Sequence, residues 1–189
     1  MGVTLFGGAF DPPHVGHVEL ARAAKERFDV PQLVVLVSEA PGHKGVSLPA
    51  ETRLELARAA FPDEDVRLDP YPRTIDLLRA ERFDDPLFVI GADEFCDFPT
   101  WQEPDAVLEL TRLAVGTRPG FPTEKIDAAL DQVSRLDRIL FFEIEPNAAA
   151  SRDIRGLAEA GESLDGLVPP AVAEIIAERN LYVRSSGLH

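Results

Sequence analysis

The sequence predicts a doubly wound parallel α/β sheet with a small C-terminal helical portion, and three observations carry that expectation. Short, almost wholly apolar runs recur along the chain, as the buried strands of a parallel sheet covered on both faces require. Segments of helical period lie between them, and β-α alternation argues a doubly wound fold. After the last apolar run the alternation stops, and two helical segments follow with no strand between them.

The strands are expected at residues 3–6 (VTLF), 33–37 (LVVLV), 87–90 (LFVI), 113–115 (LAV) and 139–142 (ILFF), with a weaker one at 66–68. Val18, Ala21, Ala24 and Phe28 recur at helical spacing, as do Leu54, Ala57 and Phe61. Shorter helical segments are expected at 74–82, 103–110 and 123–134, and the two C-terminal ones at 151–160 and 169–179. Pro169-Pro170 suits a helix start, and Val172, Ile175 and Ile176 give that helix one apolar face. Residues 1–183 read as a single domain, its helical portion beginning near 151, and residues 184–189 read as a frayed tail.

A chain of 189 residues fits one domain with a sizeable core. No apolar run approaches the roughly 20 residues of a membrane helix, and the first residues lead straight into a strand, so neither a membrane span nor a signal peptide is expected. The net charge of -14 disfavours nucleic acid and anionic membranes as partners, and an anionic small substrate needs a local cationic pocket. A single cysteine, Cys96, cannot build a disulfide framework and fits a reducing cytoplasm.

The chemistry concentrates in residues 5–17, LFGGAFDPPHVGH. With the first strand expected to end at Phe6, Gly7 and Gly8 fall at the sheet edge where ligands bind in such folds. Glycine there permits close backbone approach or positive φ. Asp11-Pro12-Pro13 makes a rigid turn, and a helix is expected from about Val15. His14 and His17 then stand at a helix N-terminus, where N–H groups and the dipole favour anions. Their i, i+3 spacing puts both rings on one side of the first turn, with Gly16 leaving room for a phosphate. The G-x-G-x-x-G fingerprint is absent from this turn, which disfavours a hydride-transfer enzyme.

GGAFDPPHVGH resembles the H-x-G-H signature of the nucleotidyltransferase superfamily and, in detail, the bacterial nicotinate-mononucleotide adenylyltransferases. The resemblance runs through Gly42-His43-Lys44, Glu51-Thr52-Arg53-Leu54, Thr74-Ile75-Asp76, Ile90-Gly91-Ala92-Asp93 with Trp101, Arg118-Pro119-Gly120, Leu167-Val168-Pro169 and Leu181-Tyr182. It implies a Rossmann-like nucleotidyltransferase fold and transfer of the adenylyl group of ATP to nicotinate mononucleotide, releasing pyrophosphate. It also implies Mg²⁺ held mainly by the ATP phosphates, with no metal ligand assigned to the protein.

By the same resemblance, His14, His17 and Lys44 are the catalytic residues. ATP is expected against Gly7, Gly8, Ala9, Phe10, His14, Gly16, His17, Gly91, Asp93, Ser151, Arg152, Ile154 and Arg155. The mononucleotide is expected against Lys44, Thr74, Trp101 and Arg118. Asp93 reads either as an acceptor for the nucleotide or as a cap of the next helix, and Arg53 as a charge on a helix face. Two departures stand out. Where the family carries Ile-Ser-Ser-Thr-x-x-Arg, this chain reads Ala149-Ala150-Ser151-Arg152-Asp153-Ile154-Arg155, so two hydroxyls are missing and a guanidinium is added. The aromatic usual before the threonine is Arg73. A different adenylyl- or cytidylyltransferase and a non-catalytic nucleotide-binding relative stay open at this point, as does homo-oligomerisation.

Overall fold

The computed structural model describes residues 2–41, 45–147 and 149–183. Lys44, with Gly42 and His43, and the expected tail at 184–189 lie outside the described residues. Six parallel strands, β1 (Thr4–Gly8), β2 (Val34–Ser38), β3 (Asp65–Asp69), β4 (Leu87–Gly91), β5 (Arg112–Thr117) and β6 (Ile139–Glu143), form one sheet in the order β3-β2-β1-β4-β5-β6. The chain winds outward from β1 to β3, returns beside β1 with β4, and winds outward again. The topological switch point therefore lies between β1 and β4, where a ligand crevice is expected beyond the strand ends.

The register explains why apolar runs, not alternating ones, mark the strands. Phe6, Val35, Val37, Val89 and Ala114 face one core, which also receives helices α1 (Val15–Phe28), α2 (Ala50–Ala60), α7 (Ser151–Ala160) and α8 (Pro170–Glu178). Leu5, Leu36, Phe88, Ile90, Leu113 and Val115 face the other, with α3 (Thr74–Glu81), α4 (Ala92–Asp97), α5 (Pro104–Leu110) and α6 (Thr123–Leu130). β1, β2, β4 and β5 bury both their odd and their even residues, so no polar alternation survives in them, whereas the edge strand β3 reads Asp-Val-Arg-Leu-Asp and buries only Val66. Among the described residues, no helix is long and apolar enough to cross a membrane.

Two differences from the expected elements bear on the site. β1 continues through Gly8, so the glycine pair is the last part of the strand and not the turn after it. A Cβ on Gly7 would lie 3.0 Å from Cζ of Phe88, and one on Gly8 would lie 2.9 Å from Cζ of Phe10. These glycines make room for aromatic rings of the protein. The positive φ of this region belongs to Phe10, at 50°. The second difference is the short helix α4 with the 3₁₀ turn Phe98–Thr100, between β4 and the helix expected from 103. Phe95 and Phe98 in this short stretch are fully buried.

Candidate active site

Because every strand is parallel, the segments following β1, β3, β4, β5 and β6 emerge at one edge of the sheet. That edge collects the candidate residues. His14 is the N-cap of α1, and its Nδ1 accepts the Gly16 amide at 3.1 Å. His17 stands three residues on, and its Nδ1 accepts the His14 amide at 3.2 Å. The two histidines thus form a reciprocal capping box, in which each ring satisfies an amide that the helix start would otherwise leave unpaired.

This arrangement fixes the chemistry of both rings. An Nδ1 that accepts an amide proton puts the ring's own proton on Nε2, so each imidazole carries a single N–H donor. The rings lie 3.8 Å apart between centroids, tilted by 32°. Burial lowers the pKa of His14 from 6.5 to about 4. In the substrate-free protein His14 is therefore a neutral hydrogen-bond donor at pH 7. Two imidazolium rings at this separation would also repel each other.

A pH dependence follows. The unfolded chain protonates His14 below about 6.5, while the folded chain keeps it neutral down to about 4. The unfolded state binds more protons across that window, so this contribution to stability is complete above 6.5 and is lost as pH falls toward 4. Comparing urea midpoints at pH 7 and pH 5 checks this. The wild-type loss should exceed that of His14→Asn, which keeps a capping acceptor without a group titrating there.

The other expected residues sort into those at the crevice and those in the core. Gly16 meets the segment before α7, where a Cβ would lie 2.5 Å from Oδ1 of Asn147. The room beside Gly16 is thus filled by a side chain of the protein as well as by the His14 ring. Arg118, after β5, donates to the Asn147 carbonyl at 3.1 Å. Asn147, absent from the expected set, is the link joining these loops. Ser151 donates its hydroxyl to the Pro12 carbonyl at 2.9 Å, and Arg155 donates to the Asp11 carbonyl at 2.7 Å. Both tie the start of α7 to the histidine turn.

Arg152 is exposed at the first turn of α7. Gly91 is the N-cap of α4, and Asp93 is exposed in its first turn without capping it. Thr74 opens α3 and is half-buried. Trp101 is half-buried and rests edge-on against Phe98, with ring centroids 5.2 Å apart.

Two expected residues are structural in their side chains, and a third in its backbone carbonyl. Ile154 is 1% exposed within the core, and its amide is bonded to the Ala150 carbonyl at 3.0 Å. Phe10 is also 1% exposed, packed edge-on against Phe6, Phe61 and His17. The carbonyl of Ala9 accepts Nη1 of Arg53 at 2.7 Å. Arg53 itself is a correction. It is 1% exposed and not a charge on a helix face, and it also donates to the carbonyls of Leu48 and Glu39, each at 3.1 Å.

Comparison with known proteins agrees with this geometry. Residues 5–179 match the cytidylyltransferase-like family model. A probable nicotinate-nucleotide adenylyltransferase of Rubrobacter xylanophilus is 33% identical, over 96% of this chain and 92% of that protein. One of Symbiobacterium thermophilum is 35% identical, over 98% of this chain and 97% of that protein. Among solved structures, a Plasmodium falciparum nicotinic acid mononucleotide adenylyltransferase complexed with NaAD superposes with a TM-score of 0.71. That superposition covers 95% of this chain and 96% of that one at 14% identity, which carries the fold alone. With a switch point between β1 and β4, a capping pair of histidines and near full-length similarity, the chain belongs to the cytidylyltransferase-like family and, within it, to the nicotinate-nucleotide adenylyltransferases.

Proposed function

We propose that this protein joins the adenylyl group of ATP to the phosphate of nicotinate mononucleotide, forming deamido-NAD and releasing pyrophosphate. The observation that carries the reading is the paired-histidine cap at the N-terminus of α1. A phosphate oxygen of the mononucleotide attacks the α-phosphorus of ATP, and the bond from that phosphorus to the bridging oxygen breaks. The nucleophile is already ionised, so no general base is required. Catalysis rests on in-line positioning and on donors aimed at charge developing on the phosphates. The Nε2–H groups of His14 and His17 and the Lys44 ammonium supply them in this reading, with His17 nearest the α-phosphate.

Trp101 offers an aromatic face to the pyridine ring, Thr74 a hydroxyl to the mononucleotide, and Arg118 a cation at the far wall. Arg152 and Arg155 extend the positive edge toward the outer phosphates. Mg²⁺ would be held mainly by the ATP phosphates, whose charge it would offset. Asp11 is a poor ligand for it, because both carboxylate oxygens already accept hydrogen bonds, from the Ser47 amide and the Tyr182 hydroxyl. Small nucleotides are thus the partners, and the cytoplasm, where ATP is abundant, is the compartment.

Pyrophosphate release from ATP with nicotinate or nicotinamide mononucleotide tests the reading. Turnover with the acid is expected; ATP binding without turnover on either mononucleotide would contradict it. Arg152→Ala is expected to raise KM for ATP roughly two- to fivefold, as fits one exposed charge. Initial rates across an ATP series check this, and an unchanged KM removes Arg152 from the phosphate site.

A further inference from the structure

The turn that carries the histidines is held by parts of the chain remote in sequence. Arg53 holds the Ala9 carbonyl, Arg155 the Asp11 carbonyl and Ser151 the Pro12 carbonyl, while the Val15 amide donates to the Leu167 carbonyl at 3.0 Å. At the centre lies the Asp11 carboxylate, 3% exposed. Its Oδ2 accepts the Ser47 amide, and its Oδ1 accepts the Tyr182 hydroxyl at 2.8 Å. Burial, with Asp11 alongside, holds the Tyr182 pKa far above its ordinary value, so the hydroxyl keeps its proton and donates throughout the working range.

Tyr182 follows α8 and has a φ of 69°. A bulky residue adopts that left-handed backbone only where its surroundings hold it. Here the ring packs against the core shared by α2, α7 and α8, and the hydroxyl reaches Asp11. Between Asp11 and His14 stand only Pro12 and Pro13. Their fixed φ angles leave little slack, so a displacement at Asp11 passes to His14 instead of being absorbed.

We propose that Tyr182 is a positioning residue for adenylyl transfer: its hydroxyl holds the Asp11 carboxylate, and with it the turn presenting His14 and His17, in the geometry the in-line reaction needs. The inference rests on the reading of function above, and one of its two readouts is independent of substrate. Tyr182→Phe removes one oxygen and keeps the ring. Amide exchange at His14 and Gly16 should quicken about tenfold in the folded variant, because the capping box opens locally more often. Unchanged exchange would overturn the proposal, whether or not the enzyme turns over.

In the pyrophosphate assay, kcat should fall about tenfold with both KM values within about twofold, since misplacement by about 1 Å costs on the order of a hundredfold. A kcat within twofold of wild type overturns it, as does a rate loss that merely follows a loss of folded protein on the thermal unfolding curve. In an Asp11→Ala background the hydroxyl has no carboxylate left to hold, so adding Tyr182→Phe should change kcat by less than about twofold further. A second full drop there would show that Tyr182 acts by some other route.

Discussion

Replacing His17 by alanine is expected to lower kcat by about 10²–10³-fold, the loss typical of removing one donor from charge developing in a transition state. The protein should stay folded. His17 is half-buried, and its truncation removes the 3.2 Å contact from the His14 amide to its Nδ1 and the edge-on packing against Phe10, among its contacts. One neutral hydrogen bond at a helix start contributes about 0.5–1.5 kcal/mol, which a domain of this size tolerates. Steady-state pyrophosphate release gives kcat, and thermal unfolding gives the folded fraction. Turnover equal to wild type would remove His17 from the reaction. A variant that fails to fold would show that the capping box matters more to the structure than one hydrogen bond suggests.

The largest effect on stability is expected from Arg53→Ala, on the order of 3–5 kcal/mol. The side chain is 1% exposed and satisfies three backbone carbonyls, those of Ala9, Glu39 and Leu48. Its removal leaves partly buried acceptors unpaired at about 1–3 kcal/mol each and opens a cavity where the side chain lay. Burial lowers the pKa of the guanidinium, the cost of keeping this cation inside, and the nearby Asp11 offsets part of it. Arg53→Lys should recover little, because one ammonium cannot reach three carbonyls from the position of a planar fork. Urea unfolding at pH 7 checks both variants; a loss below about 1 kcal/mol for Arg53→Ala would mean that water replaces the fork at no great cost.

The strands and the helix over Ser151–Ala160 are legible in the sequence because burial imposes a local pattern. A strand covered on both faces must be apolar throughout, and LVVLV or LFVI can hardly be anything else. α4 is not legible in the same way. Its six residues contain one short turn of apolar spacing, and Phe95 reaches the core together with Phe98 from the adjoining 3₁₀ segment. The histidine pair was visible because its meaning is local, three residues within one helical turn. Arg53 was misjudged because its partners lie 5, 14 and 44 residues away, and a helix pattern records which face a residue occupies but not which carbonyls it meets. Ile154 and Phe10 illustrate the converse: they sit within the stretches expected to meet the nucleotide, yet their side chains serve the core. Asn147 and Tyr182 gave no chemical signal of their own, since an asparagine and a tyrosine acquire their roles only from the atoms the fold sets beside them.

The bond between Tyr182 and Asp11 spans 171 residues. Its consequence is one of timing. As the chain is synthesised, the histidine turn emerges before the groups that hold it, which come from α2, from α7 and lastly from the segment after α8. Contacts so distant along the chain close late, because the entropy of a long loop must be overcome before they form. A nascent chain carrying both histidines and most of the sheet thus still lacks the clasp on the histidine turn, which settles only once the segment after α8 has joined it.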